Sequence, residues 1–302
     1  MPTDPLQTIL YRELAIANAR PITDIASPLL IELVNFGSNA LVRCATSSTG
    51  GFNEDLAALS LYRHILEMTD ATQVAVSQAC AVPAIPLVRS SFEALIALEY
   101  VFADRTKYVQ RSLAWLVDYA HKKLHMYELL DPSTPPGTDF QKAIRKDKSI
   151  STLPLPPKAD VGKAITNLNK LLAGSQFSSI NQDFLGLSAP RAWYRLYGGP
   201  ANLRELAHEV GRSALYDLMY RYWSRVAHAM DFGSFIAKTR QGEGGIRAIR
   251  DPQELKNVAS YTATIMLAAT RALIAHFRPG ENIRSWYERG VRERYLRLLR
   301  NP

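Results

Sequence analysis

IPLVRSSFEALIALEYVF, residues 85–102, decides the fold class. Its apolar residues Ile85, Leu87, Val88, Phe92, Leu95, Ile96 and Leu98 recur mostly at steps of three and four, the period of an α-helix. They do not alternate as in a half-buried strand. Outward from this stretch the same period predicts helices near 5–19, 28–46, 54–81, 84–103, 105–130, 159–174, 202–237, 252–277 and 281–300. No set of alternating strands accompanies them. Breaks fall at Ser47-Ser48-Thr49-Gly50-Gly51, at Pro83 and Pro86, and at Gly198-Gly199-Pro200. Asn202 and Glu205 have capping-box spacing and start a helix at about Leu203. The expectation is an all-α multi-helix bundle.

Its expected organisation is a core over residues 54–277, N-terminal helices over 1–53 packed on that core, and a basic C-terminal helix over 278–302. Between Asp131 and Pro157 lie six prolines around Lys142, Arg145, Lys146 and Lys148. So little apolar surface predicts a solvated insertion or a binding loop. Gly242, Gly244 and Gly245 lack the Lys-Ser/Thr ending of a phosphate loop and read as a hinge. No repeat of solenoid length is visible.

Composition removes several function classes. Cys44 and Cys80 are too few for a disulfide framework or a zinc ribbon; they read as small core residues in a reducing cytosol. The N-terminus shows no secretory pattern. The apolar stretch from Ser27 to Ala45 carries Glu32, Asn35 and Arg43, which argues against a membrane span and for a cytoplasmic protein. A net charge of +8 favours either solubility or a polyanionic partner such as RNA.

Chemistry concentrates in SALYDLMYRYWSRVAHAMDFGSF, residues 213–235. Leu215, Leu218, Met219, Tyr222, Val226 and Met230 are expected as one apolar face, which Tyr216, Tyr220, Trp223 and Ala227 extend. A polar stripe of Asp217, Arg221, Ser224 and His228, continued by Asp231, steps by four, three, four and three. Arg221 and His228 are thus two turns apart on one side, where a phosphate could bridge them; Arg225 lies beside them. Arg89 and Glu93 form a second polar pair on an apolar helix, where charges need partners across a helix contact. The two stripes are expected to meet in one cleft. The last helix adds Arg289, Arg292 and Arg297, a solvated charged face or a phosphate-binding one. His121 and His125 have metal-pair spacing without an evident third ligand, so no metal and no cofactor is expected. Arg204 and His208 read as surface residues.

Arg89-Ser90-Ser91-Phe92-Glu93-Ala94-Leu95 with the later Glu99-Tyr100-Val101-Phe102, and Ser224-Arg225-Val226-Ala227-His228-Ala229, resemble two blocks of an uncharacterised bacterial helical family, domain of unknown function 5677. The likeness spans roughly residues 60–275 and implies a helical fold. Arg221 through His228, an Arg and a His with six residues between, is also similar to the motif of HEPN endoribonucleases, although Tyr222 stands where active members commonly have a polar residue. That likeness implies RNA cleavage without a metal. His228 would move a proton, Arg221 would hold the phosphate, and Asp217 or Ser224 would orient them. It further implies a homodimer, and a toxin or defence setting with an antitoxin-like partner protein. Two alternatives stay open: a helical module that binds a protein or nucleic acid, and a small-ligand sensor using Arg89, Glu93 and His228.

Overall fold

The computed structural model describes residues 10–150, 155–227, 236–238, 244–247 and 249–300. The fold is all-α. Helices α1 (Arg12–Ser47), α2 (Phe52–Ser77), α3 (Ala81–Phe102), α4 (Tyr108–Leu130), α5 (Pro135–Lys146), α6 (Lys158–Ala173) and α7 (Ser178–Leu185) come first. A 3-10 turn, Trp193–Gly198, leads to α8 (Leu203–Glu209). Next, α9 (Ser213–Leu215), a π turn (Tyr216–Tyr220) and α10 (Arg221–Ala227) run on continuously. Strands β1 (Ile236–Lys238) and β2 (Gly244–Ile246) form an antiparallel ribbon pairing Ile236 with Ile246. Helix α11 (Leu255–Phe277), α12 (Arg284–Trp286), a second π turn (Tyr287–Val291) and α13 (Arg292–Arg300) complete the order.

The chain forms two compact units that do not follow sequence order. One contains residues up to 50, 58–104 and 203 onward; the other contains 51–57 and 105–202. The terminal segments expected at 1–53 and 278–302 are thus largely part of the first unit rather than additions to a 54–277 core. In that unit α11 packs on both α1 and α3. These three segments (12–47, 81–102 and 252–277) are also long and apolar enough to cross a membrane by length and composition. Here their apolar sides meet one another: Leu29, Leu30 and Leu33 of α1, Phe92 and Leu95 of α3, and Ile265 and Met266 of α11 are buried. Two charges inside the apolar stretch of α1, Glu32 and Arg43, have partners. Glu32 accepts a hydrogen bond from Trp286 Nε1 (2.8 Å), and Trp286 stacks on Phe36 with ring centroids 3.6 Å apart. Arg43 pairs with Glu281 at 2.8 Å.

Gly37 sets how closely the core helices approach. The Tyr62 hydroxyl donates to its carbonyl (3.3 Å) and lies 2.8 Å from Thr270 Oγ1. A Cβ on residue 37 would stand 2.4 Å from Met266 Cε, 2.7 Å from Leu66 Cδ2 and 2.8 Å from the Tyr62 oxygen. Gly→Ala inside a helix ordinarily gains about 0.5–1 kcal/mol. Here overpacking of about 1–3 kcal/mol outweighs that gain. Gly37→Ala is expected to lower the melting temperature, and an unchanged or raised value would contradict the packing.

Several expected boundaries shift for physical reasons. The helices expected at 5–19 and 28–46 are one helix in the described part, passing through Pro21 and Pro28. Both prolines lie on the exposed side, where water can satisfy the carbonyls of Ala17 and Asp24 that they leave without donors. The helix expected over 202–237 ends instead at Glu209. Gly211 adopts φ +71, and the N–H groups of Gly211 and Arg212 donate to the His208 and Ala207 carbonyls (3.0 and 2.6 Å), a Schellman closure. Residues 236 and 237 of that expected helix belong to β1.

The Pro-rich stretch is not simply a solvated loop. Thr134 caps α5, accepting from Gly137 N, with Pro135 and Pro136 in the first turn, where missing N–H groups cost nothing. Cys80 is half-buried rather than core, whereas Cys44 is buried and its thiol is pushed up to about 11, chiefly by burial. The start of the first helix at residue 5, Met230, Asp231 and Gly242 lie outside the described residues.

Candidate functional site

Two polar groupings of the first unit involve the residues singled out by sequence. The first is on α3. Arg89 and Glu93 approach at 3.9 Å, with the Arg89 side chain 12% exposed. Their partner on the neighbouring helix is Tyr220, the last residue of the π turn. Its hydroxyl donates to Glu93 Oε1 (2.9 Å), the Arg89 guanidinium lies 4.5 Å from its ring centroid, and Phe92 flanks it at 5.8 Å. Burial and the Glu93 carboxylate push the Tyr220 phenol up to about 12, so it is a donor at neutral pH. A buried guanidinium over a ring, held by a carboxylate, is a fastening between helices.

The second grouping is the exposed side of the α9–α10 helix. Asp217 and Arg221 pair at 3.4 Å, with side chains 44% and 63% exposed. Ser224 is half-buried and Arg225 is exposed. Beneath them Met219 and Trp223 are buried, and Trp223 meets Tyr261 of α11 edge to face at 5.3 Å. The expected apolar face was therefore partly wrong. Leu218 and Tyr222 are 70% and 42% exposed. The wider π turn takes up an extra residue, so residues beyond it fall out of α-helical phase.

The expected single cleft forms only in part. Arg89 and Glu93 do reach the second stripe's helix, but through Tyr220, while the adjacent Arg221 turns to solvent beside Asp217. His228, the other half of the expected pair, lies outside the described residues. Arg289, Arg292 and Arg297 are exposed on the last helix, whose other side packs through Val291 and Leu298. Arg292 lies 3.5 Å from Glu288, and Arg289 Nε donates to the Ser285 carbonyl. His121 lies 2.6 Å from Asn181 Oδ1 and stacks on Phe184, while Arg204 and His208 are exposed. Among the described residues no three His, Cys, Asp or Glu side chains gather as a metal-ligand set.

Sequence reasoning missed three contacts. Tyr220 was counted as apolar. Glu99 forms a two-pronged pair with Arg212 (2.9 and 2.5 Å), which holds the guanidinium pKa up. His64 Nε2 lies 2.7 Å from Ser90 Oγ. The rule that predicted a partner for Arg89 applies equally to Glu99, a carboxylate on the same apolar helix, and would have flagged it.

No curated protein and no solved structure matches the chain. A family model does match, over residues 55–243, a span that includes α3, both polar groupings and all of the second unit but its first four residues. The chain belongs to a family of unknown function, DUF5677.

Proposed function

We propose that the exposed side of α10 binds an RNA phosphate through Arg221 and, with His228, cleaves RNA without a metal ion. The observation that supports this is the state of Arg221. Arg212, by contrast, is half-buried and held by two hydrogen bonds to Glu99. The Arg221 side chain is instead 63% exposed, and among the described residues its ion pair is with the exposed Asp217, a pairing worth little in water. Such a group is free to take an anion. His228 removes the proton of a 2′-hydroxyl, whose oxygen attacks the adjacent phosphorus. The bond from phosphorus to the 5′ oxygen breaks, a 2′,3′-cyclic phosphate remains, and the leaving oxygen takes a proton from water or from the protonated His228. Arg221 offsets the charge gathering on the phosphoryl oxygens, and Asp217 or Ser224 orients it. The likeness to HEPN ribonucleases extends the proposal to a homodimer and to a partner protein that restrains a toxin or defence activity, and the two cysteines favour a cytoplasmic setting.

The test is total RNA incubated in EDTA with wild-type protein or His228→Ala. Cleavage is expected from the wild type and a loss of about 10²–10⁴-fold in the variant, with melting temperature held. Intact RNA from the wild type, or equal cleavage by the variant, would overturn the proposal. The exposed Leu218 and Tyr222 favour a second role, a helical module that docks a protein there. In that case a pulled-down partner would protect this side and RNA would stay whole.

A further inference from the structure

Helix α4 of the second unit carries a feature that none of the chemistry above uses. Trp115, Tyr119 and Lys123 follow one another at four-residue steps, with Lys122 and Met126 alongside. Each step advances only about 40° around the helix, so these side chains share one side. The Trp115 and Tyr119 rings are 6.0 Å apart and 8° from parallel, and Lys123 Nζ lies 5.7 Å from the Tyr119 centroid. The side away from it, with Leu113, Val117 and Ala120, is buried. Tyr119 and Met126 are 48% and 40% exposed.

Charge identifies what would cover this strip. From Tyr108 to Tyr127 the helix has one carboxylate, Asp118, and it is buried and tied to Lys122 at 2.8 Å. Tyr119 and Lys122 are exposed and Trp115 and Lys123 half-buried, so what the strip offers is ring faces and ammonium groups. Helix α5, packed on α4, adds exposed Arg145 and Lys146. Every nucleobase offers a π face and every nucleotide a phosphate, which is the complement of that strip. A paired duplex hides its base faces and would meet the cations alone.

We propose that the Trp115–Tyr119–Lys123 strip of α4 is a stacking platform for single-stranded RNA. Bases lie against the ring pair and phosphates against Lys122 and Lys123. The platform shares only its ligand class with the α10 proposal and stands whether or not α10 cleaves RNA.

The experiment is fluorescence anisotropy with a labelled oligouridine of about ten nucleotides and full-length protein carrying His228→Ala, so that the probe stays whole. Tyr119→Ala is expected to weaken binding roughly 5- to 100-fold, and Tyr119→Trp to keep it, which separates stacking from any loss of fold. Lys122→Gln with Lys123→Gln should flatten the salt dependence by about one to two charges. Three outcomes would each overturn the platform: equal affinity for Tyr119→Ala, equal affinity for duplex RNA, or binding only to phosphatidylserine vesicles. Binding by the strip with no cleavage by wild-type protein would sink the α10 proposal alone.

Discussion

Arg221→Ala is expected to slow RNA cleavage in EDTA by about 10²–10³-fold, the usual cost of removing one donor aimed at a developing oxyanion. The substitution leaves little else disturbed. Its ion pair with Asp217 is long and solvated, contributing at most about 1 kcal/mol, so the melting temperature should barely move. Arg221→Lys should recover part of the rate, because an ammonium supplies the charge but not the planar two-pronged geometry. The measurement is initial cleavage rate against protein concentration, with thermal melting in parallel. Unchanged cleavage by Arg221→Ala would remove the phosphate-holding role. A fall in rate that tracks a fall in stability would mark the residue as structural.

Trp223→Ala should do the reverse, destabilising the protein by about 3–5 kcal/mol. Two positions along from Arg221, Trp223 is 2% exposed and set edge to face against Tyr261, so its removal opens a ring-sized cavity between α10 and α11. Trp223→Phe, which keeps an aromatic ring in place, should lose markedly less. Urea denaturation read by circular dichroism gives both values. A cost below about 1 kcal/mol for the alanine variant would mean that α10 does not rest on this ring. Together the two substitutions separate the helix's exposed chemistry from its anchor, though they lie less than one turn apart.

The helical class was legible because the apolar period is set by the buried sides of α3 and α11, and burial is what periodicity encodes. The interruptions were less so. Pro21 and Pro28 look like breaks in sequence, but whether a proline ends a helix depends on where its orphaned carbonyl points, which is tertiary information. The π turn at Tyr216–Tyr220 has no such signature, so the phase of Leu218 and Tyr222 was misjudged. Of the candidate site, the Arg89–Glu93 pair could be read from charge on an apolar helix. Its partner could not, because a tyrosine scores as apolar until its hydroxyl is seen against Glu93. Trp115, Tyr119 and Lys123 were invisible for a related reason: stacking is a property of side-chain placement and not of residue class.

The first unit's three-part makeup has a consequence for the nascent chain. The wall against which α1 and α3 close, α11, begins at Leu255, so a ribosome delivers it long after both greasy surfaces have emerged. Residues 105–202, which belong to the other compact unit, have all been made before α11 and can settle first. Until α11 arrives, the two earlier helices must stay sticky. That interval is when chaperones or aggregation compete for the protein.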